Sequence, residues 1–309
     1  MSVLALSGGV GGAKLVRGLS HQLPAESLSI IANTGDDGIH SGLLVCPDID
    51  TLIYTLSGQS HPEQGWGLAG ESWQVFDRLG ELGGETWFRL GDKDIATHLF
   101  RAEKIQQGLS LTQVTRALCL AHNIAPNILP MCDELFQTKV ITQDGRTLDF
   151  HEYFVKEQCG PRVESIAFIG NPSLSSDVEA AIMQTGALII CPSNPFLSID
   201  PILQVPGLQS LITERIEKRL VVSPIINGQA IKGPTAKLMQ ELALPVTNES
   251  VAKKYQSIAT HMIIDNQDAV DKNLLESMGL KVLVTNTLMQ TLADKKQLAS
   301  DVLGFLGVK

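Results

Sequence analysis

Positive charge is in short supply in this chain: 24 Lys and Arg stand against 33 Asp and Glu, a formal net charge of −9 over 309 residues. Broad binding to nucleic acid or to a membrane surface needs accumulated positive charge, so neither partner is expected. A small phosphorylated ligand stays open, because one lysine and a few backbone amides supply enough local field. The five cysteines (Cys46, Cys119, Cys132, Cys159 and Cys191) lack the close pairing of a zinc ribbon and read as reduced thiols of a cytoplasmic protein. No run approaches transmembrane length. Residues 1–5 are apolar but run at once into Ser7-Gly8-Gly9, with no basic segment before them, which is unlike a signal peptide. Also missing are a Ser-His-Asp order, a His-Glu-x-x-His motif and any nucleic-acid module, which argues against acyl hydrolysis and zinc chemistry.

What is present is an α/β rhythm. Residues 3–6 form a short apolar run, Gly8-Gly9-Val10-Gly11-Gly12 a turn, and Leu15, Val16 and Leu19 carry helical spacing before a second apolar run at 28–32. That is a βαβ unit, whose right-handed crossover makes the strands parallel and sets the glycine loop at their carboxyl edge. Residues 43–46 are a further strand candidate and 49–56 a helix. The stretch 71–120 reads as helical pieces, and Asp144-Gly145 marks a hairpin. Strands at 163–169 and 187–191 flank a helix at 176–185. Residues 220–223, 258–264 and 282–284 then complete the sheet under a terminal helix. With 44% hydrophobic residues, the chain is expected to be a single domain over 1–309. The predicted architecture is a Rossmann-like, doubly wound, mostly parallel α/β sheet with a largely helical insertion at about 60–130 and a small hairpin at about 138–150.

Five loops carry candidate chemistry. In Gly8-Gly9-Val10-Gly11-Gly12-Ala13-Lys14, glycines such as Gly9, Gly11 and Gly12 let the backbone approach a ligand. The next helix offers its positive end, and Lys14 in its first turn would reach a phosphate. The segment is neither a Walker A loop nor a clean dinucleotide fingerprint, and a tight packing turn is the competing reading. Asn33-Thr34-Gly35-Asp36-Asp37 ends the second strand, and Asp48-Ile49-Asp50-Thr51 starts the next helix. These carboxylates either cap a helix or hold a hard cation such as magnesium, and spacing alone does not choose. Trp87-Phe88-Arg89-Leu90-Gly91-Asp92 leads into Thr97-His98 and Arg101; His98 and Arg101 share a helical face. Cys191-Pro192-Ser193-Asn194-Pro195 presents Ser193 and Asn194 on a proline-fixed loop suited to a base or sugar. No local histidine activates Cys191, which reads as a buried structural residue. Ser223-Pro224-Ile225-Ile226 is followed by Lys232-Gly233-Pro234 and Lys237, lysines that either contact phosphate or stay solvated.

Taken in order, these motifs, with Gly67-Leu68-Ala69-Gly70-Glu71, cover nearly the whole chain. Jointly they resemble the 2-phospho-L-lactate transferases of coenzyme F-420 biosynthesis, including the phosphoenolpyruvate-transferring relatives. The resemblance implies a magnesium-dependent homodimer that moves a phospholactyl or enolpyruvyl-phosphoryl group from its guanosine-diphosphate adduct to the deazaflavin Fo, releasing GMP. It implies guanosine-nucleotide binding at Gly9, Gly11, Gly12, Lys14, Ser193 and Asn194, and acceptor or metal contacts at Asp50 and Thr51. Donor-phosphate contacts at His98 and Arg101 are implied as well. Trp87 is then expected as a substrate wall, and Asp50 and Asp36 as catalytic carboxylates or magnesium ligands. A regulatory class resembling gluconeogenesis factors, which binds nucleotide sugars without transfer, shares the glycine loop and Asn33-Thr34-Gly35-Asp36-Asp37. The segments Trp87-Phe88 and Asp48-Ile49-Asp50-Thr51 favour the transferase.

Overall fold

Every residue of β1 (Val3–Ser7) is buried, because β1 lies inside a sheet covered on both faces. The computed structural model describes residues 1–231 and 233–308. The remaining strands are β2 (Leu28–Ala32), β3 (Gly38–His40), β4 (Leu43–Val45), β5 (Asn127–Pro130), β6 (Gln137–Thr142), β7 (Thr147–Asp149) and β8 (Val163–Ile169). They continue with β9 (Ala187–Ile190), β10 (Lys218–Val222), β11 (Ile225–Ile226), β12 (Gln229–Ala230), β13 (His261–Asp265) and β14 (Lys281–Thr285). Seven strands form one parallel sheet in the order β14-β13-β10-β9-β1-β2-β5. The expected doubly wound α/β fold is therefore the observed one.

Strand alternation builds two cores from one sheet. Leu4 and Leu6 pack with Ile31, Leu129, Leu188 and Ile190 on one face. Val3 and Ala5 pack with Ile30, Ile128 and Ile189 on the other, beneath Leu15, Val16 and Leu19 of α1 (Gly9–Ser20) and the terminal helix Leu292–Leu306. Truncating Leu4 or Leu6 to alanine would cost about 2–5 kcal/mol. α1 lies close against the terminal helix at Gly18, where an added Cβ would run into the carbonyl oxygen of Lys295.

From β1 the chain winds outward to β2 and β5, then returns across the sheet to β9 and onward to β10, β13 and β14. The order reverses between β1 and β9, and the crevice outside their carboxyl ends is where open α/β sheets take ligands. Both the glycine loop and the Ser193-Asn194 loop leave the sheet there.

Three elements differ from the sequence reading. Residues 127–130, inside the stretch expected to be helical, form edge strand β5. The run is only four residues long and ends in Pro130, a residue sheets tolerate at an edge. Residues 43–46 do not join the main sheet. They pair as β4 with β3 across Ser41-Gly42, both at positive φ, in a two-residue hairpin. β8 likewise leaves the main sheet and pairs antiparallel with β6, extending the hairpin β6–β7 to three strands.

Helices α2 (Pro47–Leu56), α3 (Gln74–Glu81), α4 (Asp92–Gln106) and α5 (Leu111–Ala121) fall between β4 and β5. No residue of α3 is buried. It is held instead by an exchange of caps: Asp92 accepts the N–H groups of Gln74 and Val75 (both 3.1 Å), while Glu71 accepts those of Lys93 (2.9 Å) and Asp94 (3.0 Å). Each helix start thus finds acceptors for its free amides on the other's segment. Among the described residues no helix is long and apolar enough to cross a membrane.

Candidate active site

The glycine loop is welded to its neighbours. Ser193 Oγ accepts the Gly8 N–H (3.2 Å), and Asp48 Oδ1 accepts that of Gly9 (2.6 Å). A Cβ on Gly11 would strike the Pro192 carbonyl oxygen, and one on Gly12 would come within 2.6 Å of Ser193 Oγ. The glycines are therefore required by close approach of the loops after β1 and β9. Asp48 accepts Asn33 Nδ2 through its other oxygen (2.9 Å), and Asn33 in turn accepts the Gly35 N–H (2.8 Å). The three loops after β1, β2 and β4 thus share one hydrogen-bonded frame. Asp48 does not cap its own helix, α2, whose N-cap Cys46 makes no side-chain cap bond. It caps α1 instead, where a carboxylate complements the helix dipole.

Lys14 stands in the second turn of α1, not the first, because the helix already begins at Gly9; its ammonium donates to the Met289 carbonyl (3.0 Å). Asn194 Oδ1 accepts the N–H groups of Phe196 (2.9 Å) and Leu197 (3.1 Å), which leaves its buried Nδ2 without a partner. Ser7 Oγ, beside Gly12, is also buried and unpartnered.

Next to this frame lies a cluster of acidic side chains. Asp36, Asp37, Asp48 and Asp50 are all buried. Burial, aided by the nearby Asp48 and Asp37 charges, pushes Asp36 well above the usual carboxylate range. Burial does the same to Asp37, against an opposing pull from the Cys46 thiol and Arg101. Burial pushes Asp48 up to about 6, partly offset by its bonds from Asn33 and Gly9. Asp50 instead meets Arg101, whose Nη2 donates to Asp50 Oδ1. Burial alone would lower the Arg101 guanidinium, but Asp50, Cys46 and Asp37 together outweigh it and the net shift is upward. Oδ1 of Asp36, Oδ1 of Asp37 and Oδ2 of Asp50 are buried without a hydrogen-bond partner. Unpaired buried carboxylate oxygens are costly, and they are the donor type that a hard cation takes. Among the described residues no three or more His, Cys, Asp or Glu are arranged to hold an ion by themselves. Any such ion would complete its shell with water and ligand oxygens.

His98 and Arg101 do share a face of α4, but they turn inward. Arg101 Nη1 donates to His98 Nδ1 (2.9 Å) and to the Leu44 carbonyl (3.1 Å), and both side chains are 1% exposed. In the chain as it stands they brace Asp50 and are not laid open to a donor phosphate. Thr51 is buried beside Asp50 on α2. Trp87 is half-buried in an aromatic wall: Phe88 stacks on His40 with centroids 3.7 Å apart, and Trp87 meets His40 edge-on at 5.2 Å. His40 Nε2 lies 2.6 Å from His151 Nδ1. Burial pushes His40 down to about 4 and His151 down to about 3, so the wall is uncharged at neutral pH.

Other sequence candidates do not join the site. Lys237 is tied to Glu241 (2.7 Å), the Pro161 carbonyl (2.9 Å) and Tyr153 (3.2 Å). Lys232 lies outside the described residues. Ser223 donates to Asn248 (2.6 Å) in a closed polar network. Cys191 is buried and its thiol is pushed up by that burial. Conversely, sequence reasoning gives no role to Tyr54 or to Asp94, which closes the Trp87–Asp94 cluster, although each carries a signal: Tyr54 follows Asp50 by four residues on one helix, and Asp94 precedes His98 by four on another. His40 and His151, far apart in sequence, carried none.

The 2-phospho-L-lactate transferase CofD family model matches residues 3–297. A 2-phospho-L-lactate transferase of Methanococcoides burtonii is 34% identical over 302 residues, covering 97% of this chain and 98% of that protein. A phosphoenolpyruvate transferase of Kitasatospora aureofaciens is 37% identical over 311 residues, with 98% and 97% covered. Among solved structures, a UPF0052-family protein from Bacillus halodurans aligns with a TM-score of 0.66 over 98% of this chain and 99% of that one; at 16% identity this speaks to the fold alone. A family match over almost the whole chain, on a fold whose switch point gathers the glycine loop and buried carboxylates, makes this chain a member of the 2-phospho-L-lactate transferase CofD family.

Proposed function

We infer that the chain transfers a phospholactyl or enolpyruvyl-phosphoryl group from its guanosine-diphosphate adduct to the terminal ribityl hydroxyl of the deazaflavin Fo, forming the coenzyme F-420 core. The observation that carries this reading is the meeting of the glycine loop that starts α1 with the partnerless buried Ser7 hydroxyl, Asn194 amide and carboxylate oxygens of Asp36 and Asp50. The loops after β1 and β9 hold the guanosine nucleotide, with the Asn194 amide and Ser7 hydroxyl as spare polar groups for it. The aromatic wall of Trp87, Phe88 and His40 offers a flat face to the deazaflavin ring.

The acceptor oxygen attacks the distal phosphorus of the donor. The bond from that phosphorus to the GMP oxygen breaks, GMP departs with the electron pair, and the hydroxyl proton passes to a carboxylate. Asp50 Oδ2 and Asp36 Oδ1 are the oxygens available to orient the hydroxyl and take that proton. The same two residues would hold magnesium, which when bound offsets charge on the transferred and leaving phosphates. No covalent enzyme intermediate is needed. The active species is proposed to be a homodimer.

The deciding experiment incubates the protein with Fo, magnesium and competing guanylylated lactate, enolpyruvate and glycerate donors, then weighs the product. A deazaflavin phosphodiester with stoichiometric GMP is expected, abolished by chelation and restored by magnesium. No product with any donor, together with tight binding of a UDP-sugar, would sink the reading in favour of a regulatory nucleotide-sugar binder.

A further inference from the structure

A chain of four side chains, buried except for the partly exposed Asp94, runs behind Asp50 and ends outside the residues assigned above. Tyr54 donates its hydroxyl to Asp94 Oδ1 (2.6 Å) and lies 3.0 Å from Thr97 Oγ1. Asp94 Oδ1 is 3.6 Å from His98 Nε2, which makes no hydrogen bond and has this carboxylate as its facing acceptor. His98 Nδ1 is 2.9 Å from Arg101 Nη1, and Arg101 Nη2 reaches Asp50 Oδ1.

The chemistry of arginine settles the direction of this chain. A guanidinium has only donors, so the contact at 2.9 Å requires His98 Nδ1 to be the lone-pair nitrogen. The ring proton then sits on Nε2 and faces the Asp94 carboxylate. With Leu44 O and His98 on one terminal nitrogen and Asp50 on the other, the guanidinium has one seated orientation. That orientation ties up Oδ1 of Asp50 and leaves Oδ2 without a hydrogen bond, 3.8 Å from the lone-pair nitrogen of His98.

We propose that Asp94, supported by Tyr54, is a positioning residue that fixes the Nε2–H tautomer of His98. Through Arg101 it thereby determines which oxygen of Asp50 is presented to the reaction. Loss of the Asp94 carboxylate frees His98 to carry its proton on Nδ1, where it would confront an Arg101 N–H. Arg101 would then turn away and Asp50 would lose its fixed presentation. Asp94 touches neither substrate nor the reacting atoms. The kinetic part of the inference rests on the transferase reading; the tautomer part does not.

The test compares wild type with Asp94→Ala, Asp94→Asn and Tyr54→Phe by nitrogen NMR of 15N-histidine-labelled protein at pH 8, alongside steady-state kinetics. In wild type the His98 signals should show a protonated Nε2 and an unprotonated Nδ1. Asp94→Ala should lose that single tautomer and lower kcat about 10–100-fold with donor KM nearly unchanged, the size typical of removing a partner behind a site ligand. Asp94→Asn, whose carbonyl can still accept from Nε2–H, should recover most of both. A wild-type tautomer retained in both Asp94→Ala and Tyr54→Phe, or a wild-type His98 protonated on Nδ1, overturns the proposal. If Asp94→Ala does not fold, Tyr54→Phe carries the comparison. Should no donor support turnover, the NMR arm still decides.

Discussion

Arg101 and Asp50, 51 positions apart, form an ion pair in which the two side chains are 1% and 6% exposed. Such a pair is worth little as a stabiliser compared with apolar packing, but removing one member strands the other charge in the interior. Arg101→Met is therefore expected to cost about 3–5 kcal/mol in urea unfolding. Adding Asp50→Asn to it should cost clearly less than the two single changes summed. Additive losses would mean the two groups are not coupled as described. Asp50→Asn alone should nearly abolish magnesium-dependent turnover.

The raised Asp36 carboxyl has the opposite sign from most protein carboxylates. The folded state holds its proton more tightly than the unfolded state, so its stabilising effect is complete below the unfolded value of 3.8 and is lost as pH rises. Asp36→Asn carries no such titration. In magnesium-free buffer its unfolding midpoint should exceed that of wild type at pH 7. The advantage should shrink steadily as pH is lowered to 5. A constant offset, or a less stable variant at pH 7, would contradict the buried-carboxylate account.

Gly11 leaves no room for a methyl group, because the Pro192 carbonyl occupies its Cβ position. Gly11→Ala should push the loops after β1 and β9 apart at a cost of about 1–3 kcal/mol. The main readout is a donor KM raised on the order of 10-fold, with the acceptor KM spared. Equal donor affinity in the variant would remove this loop pair from the donor pocket.

The proposed acceptor wall is tested in the same way at Trp87. Trp87→Ala should raise the KM for Fo by roughly 2–12-fold, the range of an aromatic contact worth about 0.5–1.5 kcal/mol, and leave the donor KM alone. A shift in the donor KM instead would move the aromatic wall to the nucleotide side.

Magnesium can be tested without substrate. Titrating the ion into the protein should raise the thermal midpoint of wild type and do so far less in an Asp36→Asn, Asp50→Asn double variant, because binding to the folded state alone stabilises it by mass action. Equal responses would place the ion elsewhere.

The βαβ start and the doubly wound sheet were legible because β1 and β2 are apolar runs around a glycine loop, and local pattern suffices for that. β5 was not, since four residues ending in proline carry almost no periodic signal. The site was half legible. Asp36, Ser193 and the glycines follow strand ends of the main sheet, where topology itself brings them together, and Asp50 joins them from the start of α2. Lys14 was misjudged by a turn because sequence does not mark where α1 begins inside a glycine run. His98 and Arg101 were singled out, but their inward aim depends on Leu44 of β4 and Asp50 of α2, contacts made across some fifty residues of chain. The pairing of His40 with His151, 111 positions apart, is purely tertiary.

The crossed caps between α3 and α4 make two short starts into one unit of opening. Neither helix can unwind its first turn without stripping amides from the carboxylate that terminates the other, so both should lose protection together in hydrogen exchange. Because one of those amides is that of Asp94, a disturbance of the otherwise unburied α3 is felt at the base of the acidic cluster, some twenty residues along the chain.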